Sequence, residues 1–184
     1  MLKAFILTVF MIFTFAPAHA VEQGPKEGVI IPHDLAVKDQ NGKLQSFDQL
    51  KGRKGALIVF VRSADWCPFC KSQLRELSTY ANQFKILGFP IISVSYDSVN
   101  MLNTFSRNNN IKFTMLSDSE LEIIKAFDIM NERFKDRPRH FAYGVPIPII
   151  YMVDTKGEIL ARFYDENYRI RPEVEMVLDY TKGF

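Results

Sequence analysis

Cysteine is nearly absent, with two residues in 184, at positions 67 and 70. So few thiols exclude a scaffold stapled by several disulfides. No second cysteine pair and no spaced histidine pair exists to complete a zinc site, which needs three or four protein ligands. Histidine is scarce too: His33 and His140 have no companion at ligand spacing. No metal and no cofactor is expected. A formal charge of only +2 gives no ground for a nucleic-acid partner or a membrane surface. No repeat, low-complexity tract or domain boundary interrupts the chain.

The one long apolar stretch stands at the start. Lys3 supplies a short positive region, Ala4 to Phe15 is almost wholly apolar, and Ala16-Pro17-Ala18-His19-Ala20 ends in an A-x-A cleavage pattern. The core is short for a bilayer span, which takes about 20 residues. Residues 1–20 are therefore expected to be a cleaved signal peptide, leaving no stable membrane span. The mature chain is expected in an exported, oxidising compartment, the periplasm if the source is a Gram-negative bacterium. Residues 21–33, with Gly24, Pro25, Gly28 and Pro32, read as an extended lead-in, and residues 34–184 as one domain.

Both cysteines fall in Trp66-Cys67-Pro68-Phe69-Cys70, between two strongly patterned segments. Upstream, Gly55 to Val61 is a continuous apolar run, the pattern of a strand covered on both faces. Downstream, Cys70, Leu74, Leu77, Ala81 and Phe84 form one apolar stripe of a helix. Cys67 is then the helix N-cap and Pro68 the first helical residue, where a missing N–H costs nothing. Free N–H groups and the positive end of the helix dipole favour a thiolate on Cys67. Such placement typically brings a thiol pKa into the range of about 3.5 to 7.5. Cys70, heading the apolar stripe, is expected to be the more buried, resolving thiol. The alternative of a purely structural bridge is weaker, because closing so short a loop restrains the unfolded chain only modestly.

The remaining elements alternate. Leu35–Lys38 and Lys43–Ser46 flank Asn41-Gly42, a hairpin-turn signal. Phe47 to Leu50 reads as one helical turn. Phe89 to Ser95 reads as a strand parallel to the first, with a right-handed crossover. A helix over 98–107 and a short strand over 111–116 follow. Ser117-Asp118-Ser119-Glu120 resembles a capping box before Leu121, Ile124 and Phe127. Residues 131–145 are irregular and rich in Arg133, Lys135, Arg137, Arg139 and His140, expected to form a solvated loop. Two antiparallel strands, 149–153 and 158–163, and a helix begun by Pro172 complete a mixed sheet with helices on both faces.

Three segments carry a family resemblance: Lys38-Asp39-Gln40-Asn41-Gly42-Lys43, the Leu57–Val61 strand running into Trp66-Cys67-Pro68-Phe69-Cys70, and Val145 to Gly157. With them the chain resembles a thioredoxin-fold protein of the redoxin branch, the alkyl hydroperoxide reductase and thiol-specific antioxidant family, over roughly residues 34–180. The fold class implied is α/β: a thioredoxin-like three-layer sandwich with a mixed central sheet and an N-terminal β-hairpin. The resemblance makes Pro148 a cis-proline beside the cysteines, leaving the Ile147 backbone to pair with an extended substrate. Trp66 shields the pair, Pro68 shapes the first helical turn, and Phe69 lies between the sulfurs. Peroxidase members carry a proline seven residues, and Thr or Ser three residues, before the attacking cysteine; Phe60 and Ala64 stand there. The carboxylates that relatives place near the resolving thiol are replaced by Val61 and Gln73.

The expected activity is exported thiol–disulfide exchange through Cys67–Cys70, with protein or low-molecular-weight thiol and disulfide substrates and a separate redox partner. A peroxiredoxin-like peroxidase attacking hydroperoxides with Cys67 is the alternative. A non-enzymatic module binding thiols or copper is the third.

Overall fold

The computed structural model describes residues 23–165 and 167–184. The signal-peptide expectation falls on residues 1–20 and so lies outside the described residues.

The elements run β1 (Lys38–Asp39), α1 (Phe47–Leu50), β2 (Gly55–Phe60), α2 (Pro68–Leu87), β3 (Ile91–Ser95) and α3 (Val99–Asn108). They continue with β4 (Thr114–Ser117), α4 (Glu122–Ala126), α5 (Glu132–Lys135), β5 (Ile149–Asp154), β6 (Ile159–Tyr164) and α6 (Val174–Thr181). All strands join one mixed sheet in the order β1-β4-β3-β2-β5-β6. β2 is central, parallel to β3 and antiparallel to β5. Its unbroken apolar run is explained by what covers it. Leu57, Val59 and Val61 pack with α2, α3 and α6, whereas Ala56, Ile58 and Phe60 pack with α1 and α4. Each face takes every second residue, so both must be apolar.

Helix α2 follows its predicted stripe: Cys70, Leu74, Leu77, Ala81 and Phe84 are all buried. It ends at Gly88, whose φ of +97° suits glycine. Since α2 starts where β2 ends, Cys67 is held at the carboxyl edge of the sheet, where open α/β sheets place their sites.

Several local expectations are corrected. The N-terminal hairpin shrinks to a two-residue β1, paired with β4, and a single bridge between Lys38 and Leu44. The buried Asp39 carboxylate accepts from Asn41 N, Lys43 N and Gln45 Nε2, curling the segment into a tight turn in place of paired strands. No capping box forms at Ser117–Glu120. The Asp118 carboxylate instead accepts from Ile123 N and Ile124 N, with Leu121 left-handed between them. The strand expected at 111–116 begins only at Thr114, and α6 starts at Val174. The basic stretch contains the short helix α5, and His140 stacks between Phe134 and Phe141, with 4.7 Å between centroids on each side.

Candidate active site

The turn from β2 to α2 is anchored from below by a carboxylate. Asp97, just past β3, is buried and accepts from Ser63 Oγ at 2.7 Å, Ala64 N at 2.7 Å and Ser95 Oγ at 2.8 Å. Ser63 Oγ in turn accepts from Asp65 N and Trp66 N. Burial pushes the Asp97 carboxyl above its ordinary value, and the three hydrogen bonds only partly offset it. This network fixes the backbone that delivers Cys67 to the start of α2.

Cys67 is the N-cap with Pro68 in the first turn, as the sequence predicts, and its Sγ accepts from Cys70 N at 3.3 Å. Cys67 and Cys70 form a disulfide across a Cα separation of 5.3 Å. The expected difference in exposure is not found: Cys67 is 1% exposed and Cys70 0%. The cause is a roof that the sequence did not reveal. The guanidinium of Arg62, at the exit of β2, is sandwiched between the rings of Trp66 (4.9 Å) and Tyr168 (4.5 Å). Arg171 donates through Nη2 to Cys70 Sγ at 3.5 Å and through Nη1 to Tyr168 O and Ile170 O. Through Arg171 the segment 167–171, between β6 and α6, thus closes over Cys70. Burial and the neighbouring Arg62 charge lower the Arg171 pKa to about 10, so it remains a cation at neutral pH.

Trp66 is half-buried, donates to Tyr96 Oη at 2.8 Å and meets Phe141 edge-on at 5.4 Å. Tyr96 Oη donates to Phe141 O. The aromatic shield is therefore tied both to β3 and to the loop after α5. Phe69 is exposed at the mouth of the couple. Asp65 is exposed too, a turn residue with no bond to either sulfur among the described residues.

Pro148 and Ile147 require correction. No peptide bond among the described residues is cis, so Pro148 is trans. Ile147 N is engaged rather than open, donating to Ile129 O at 2.7 Å, because the segment before β5 pairs with residues 129–130 through a Met130–Pro146 bridge. Both residues line a cavity of about 370 Å³ that Tyr168 also borders. Among the described residues no cluster of three or more His, Cys, Asp or Glu side chains could hold a metal. None of the described helices is long and apolar enough to cross a membrane.

Asp97 had a signal that sequence reasoning passed over. A polar Tyr96-Asp97-Ser98 follows the apolar β3, parallel to β2, so its carboxylate had to fall beside the Cys67 loop. Arg171 had none, because it is 101 residues from Cys70 in a segment without periodicity.

A mixed sheet with helices on both faces and a Cys-x-x-Cys pair at the head of the helix leaving its central strand defines a thioredoxin-like fold with the Cys67–Cys70 disulfide at the edge of its sheet. The model of the AhpC/TSA family matches residues 30–162, and the chain belongs to that family. It is 25% identical over 143 residues to a chloroplastic peroxiredoxin Q of Triticum aestivum, covering 78% of this chain and 60% of the wheat protein. Among solved structures it is similar to the peroxidoxin BcpB of Mycobacterium tuberculosis (TM-score 0.71, 16% identity, 86% of this chain and 97% of that one). It is also similar to a peroxiredoxin-like protein of Aquifex aeolicus (TM-score 0.73, 17% identity, 89% and 90%). The curated relatives are named peroxiredoxins, and the chain spans about 60% of the length of the wheat protein.

Proposed function

We propose that the protein is a thiol peroxidase in which Cys67 attacks hydroperoxides and Cys70 resolves the product. The observation that carries this is Cys67 Sγ at the start of α2, within disulfide reach of Cys70, with the Arg62 and Arg171 guanidiniums beside the couple and no carboxylate of the described residues ion-paired to either. The Cys67 thiolate attacks the terminal oxygen of ROOH and displaces RO⁻. The O–O bond breaks as an S–O bond forms, RO⁻ takes up the proton that Cys67 had released and leaves as ROH, and the sulfur becomes a sulfenic acid. Cys70 then attacks that sulfur, forming the S–S bond and releasing water. Two electrons from an external thiol or dithiol restore the pair. Since Ala64 offers no hydroxyl and the Ser63 hydroxyl is committed to Asp97, the arginine N–H groups are the donors left to polarise the peroxide.

Thiol–disulfide exchange is a second reading, favoured by Phe60 and Ala64 at the places where peroxidases of the family carry proline and Thr or Ser. The experiment is hydrogen peroxide consumption by purified protein with dithiothreitol or thioredoxin as donor, run beside reduction of a protein disulfide. Rapid peroxide loss that Cys67→Ser abolishes supports the peroxidase. Disulfide reduction without peroxide loss supports exchange. Export and cleavage after Ala20 remain part of the proposal, resting on the pattern of residues 1–20.

A further inference from the structure

Three arginines converge on one tyrosine at the edge of the couple. Arg62 stacks on one side of the Tyr168 ring system, Arg169 lies 5.5 Å from the ring centroid and donates from Nε to Tyr168 Oη at 3.3 Å, and Arg171 donates to Tyr168 O. No carboxylate of the described residues ion-pairs with any of them. The acidic groups of the neighbouring cavity are otherwise engaged. Glu132 accepts from Gln23 and Lys135, and Asp165 accepts from Asn167 N. The Nε atoms of Arg62 and Arg171 are buried and have no hydrogen-bond acceptor among the described residues, and Arg62 is only 9% exposed.

Crowding like charges without a counter-charge opposes folding, and a buried N–H without an acceptor costs further. Departures of this kind are expected where a ligand completes the arrangement. Guanidinium forks match a planar carboxylate in a bidentate way that a simple point charge does not. We propose that Arg62, Arg169 and Arg171 form a subsite for the carboxylate of the low-molecular-weight thiol that reduces Cys67–Cys70. This rests on the pair being a redox couple, not on which oxidant it meets. The thiolate RS⁻ attacks one sulfur of the couple; the Cys67–Cys70 bond breaks, a mixed disulfide forms, and the other cysteine leaves as a thiolate. A second RS⁻ attacks the mixed disulfide, releasing RSSR and the second cysteine thiolate, so two thiols deliver two electrons.

The test uses three small thiols of different charge: 3-mercaptopropionate, 2-mercaptoethanol and cysteamine. Reduction of the oxidised protein is followed by stopped-flow fluorescence of Trp66, with rates compared at equal thiolate concentration. Mercaptopropionate should exceed mercaptoethanol by about tenfold, with cysteamine slowest, and the preference should shrink severalfold in Arg169→Gln and at high salt. Arg169 touches neither sulfur, so loss of the preference with the mercaptoethanol rate retained reports recognition and not chemistry. Equal rates for the three thiols, or a preference unchanged in both Arg169→Gln and Arg62→Gln, overturn the subsite. A parallel arm mixes reduced protein with neutral and carboxylate-bearing hydroperoxides. A preference confined to that arm assigns the arginines to the oxidant and overturns the thiol assignment. Failure of all three thiols to reduce the pair would take down the redox reading itself, and the subsite with it.

Discussion

Arg171 Nη2 lies 3.5 Å from Cys70 Sγ, so the sulfur at the head of the buried stripe, and not only the one at the helix N-terminus, faces a positive charge. Cys67 draws on the α2 dipole and the Cys70 N–H, while Cys70 draws on a guanidinium from the opposite end of the chain. The two thiols are thus supported by different elements, which can be altered separately.

Replacing Arg171 by Met keeps the bulk and removes the charge. An opposite charge at this range favours the thiolate by roughly one pH unit or more. Iodoacetamide modification of reduced Arg171→Met, followed at each cysteine by mass spectrometry, should show the alkylation profile of Cys70 moved to higher pH, with Cys67 moved less. Equal shifts at both sites would contradict the division of roles.

Cys67→Ser should abolish peroxide turnover. Cys70→Ser should instead permit a single oxidation of Cys67 that stops at a sulfenic acid, trapped by dimedone and read by mass. Steady turnover in Cys70→Ser with a monothiol donor would show that Cys70 is not needed for resolution.

Asp97 predicts a pH dependence whose sign follows from burial. Its folded carboxyl titrates above the ordinary value of 3.8, so the native state binds the proton more tightly than the unfolded chain. The stability it contributes is complete below that ordinary value and is lost as pH rises through the raised one. Asp97→Asn places an amide N–H₂ toward existing donors and should cost about 2–4 kcal/mol. In urea melts the gap between the two proteins should narrow as pH climbs across this window, because only the wild type loses stability there. A gap that widens would refute the assignment.

The sheet and the cysteine helix were legible because burial leaves a periodic trace. The unbroken run of β2 and the stripe of Cys70, Leu74, Leu77, Ala81 and Phe84 each report a face pressed against other layers. Asp39 and Asp118 were misjudged because side-chain hydrogen bonds to backbone N–H groups redirect a short segment without changing its hydrophobic pattern. The resemblance gave Ile147 a backbone open to substrate, whereas its N–H already donates to Ile129 O beside the Met130–Pro146 bridge. The roof was illegible: stacking of Arg62 on Tyr168 is a relation between distant irregular segments, and no spacing rule encodes it.

Gly55 opens β2 at a φ of +146°, and a Cβ there would collide with the Val153 carbonyl on β5. Gly55→Ala should lower stability by about 2–4 kcal/mol, measured by thermal or urea unfolding. A change within about 0.5 kcal/mol, the usual range of a surface substitution, would mean that the β2–β5 register is looser than this packing implies.

A couple sealed under its own chain has a consequence for traffic. Since Cys67 and Cys70 are both buried and Arg171 closes over Cys70, electrons cross to a molecule slim enough to slip beside that arginine, or after residues 167–171 swing outward. Small solutes and bulky protein clients therefore face different toll gates at one doorway, and stiffening that short span would shut out the large visitors while sparing the small.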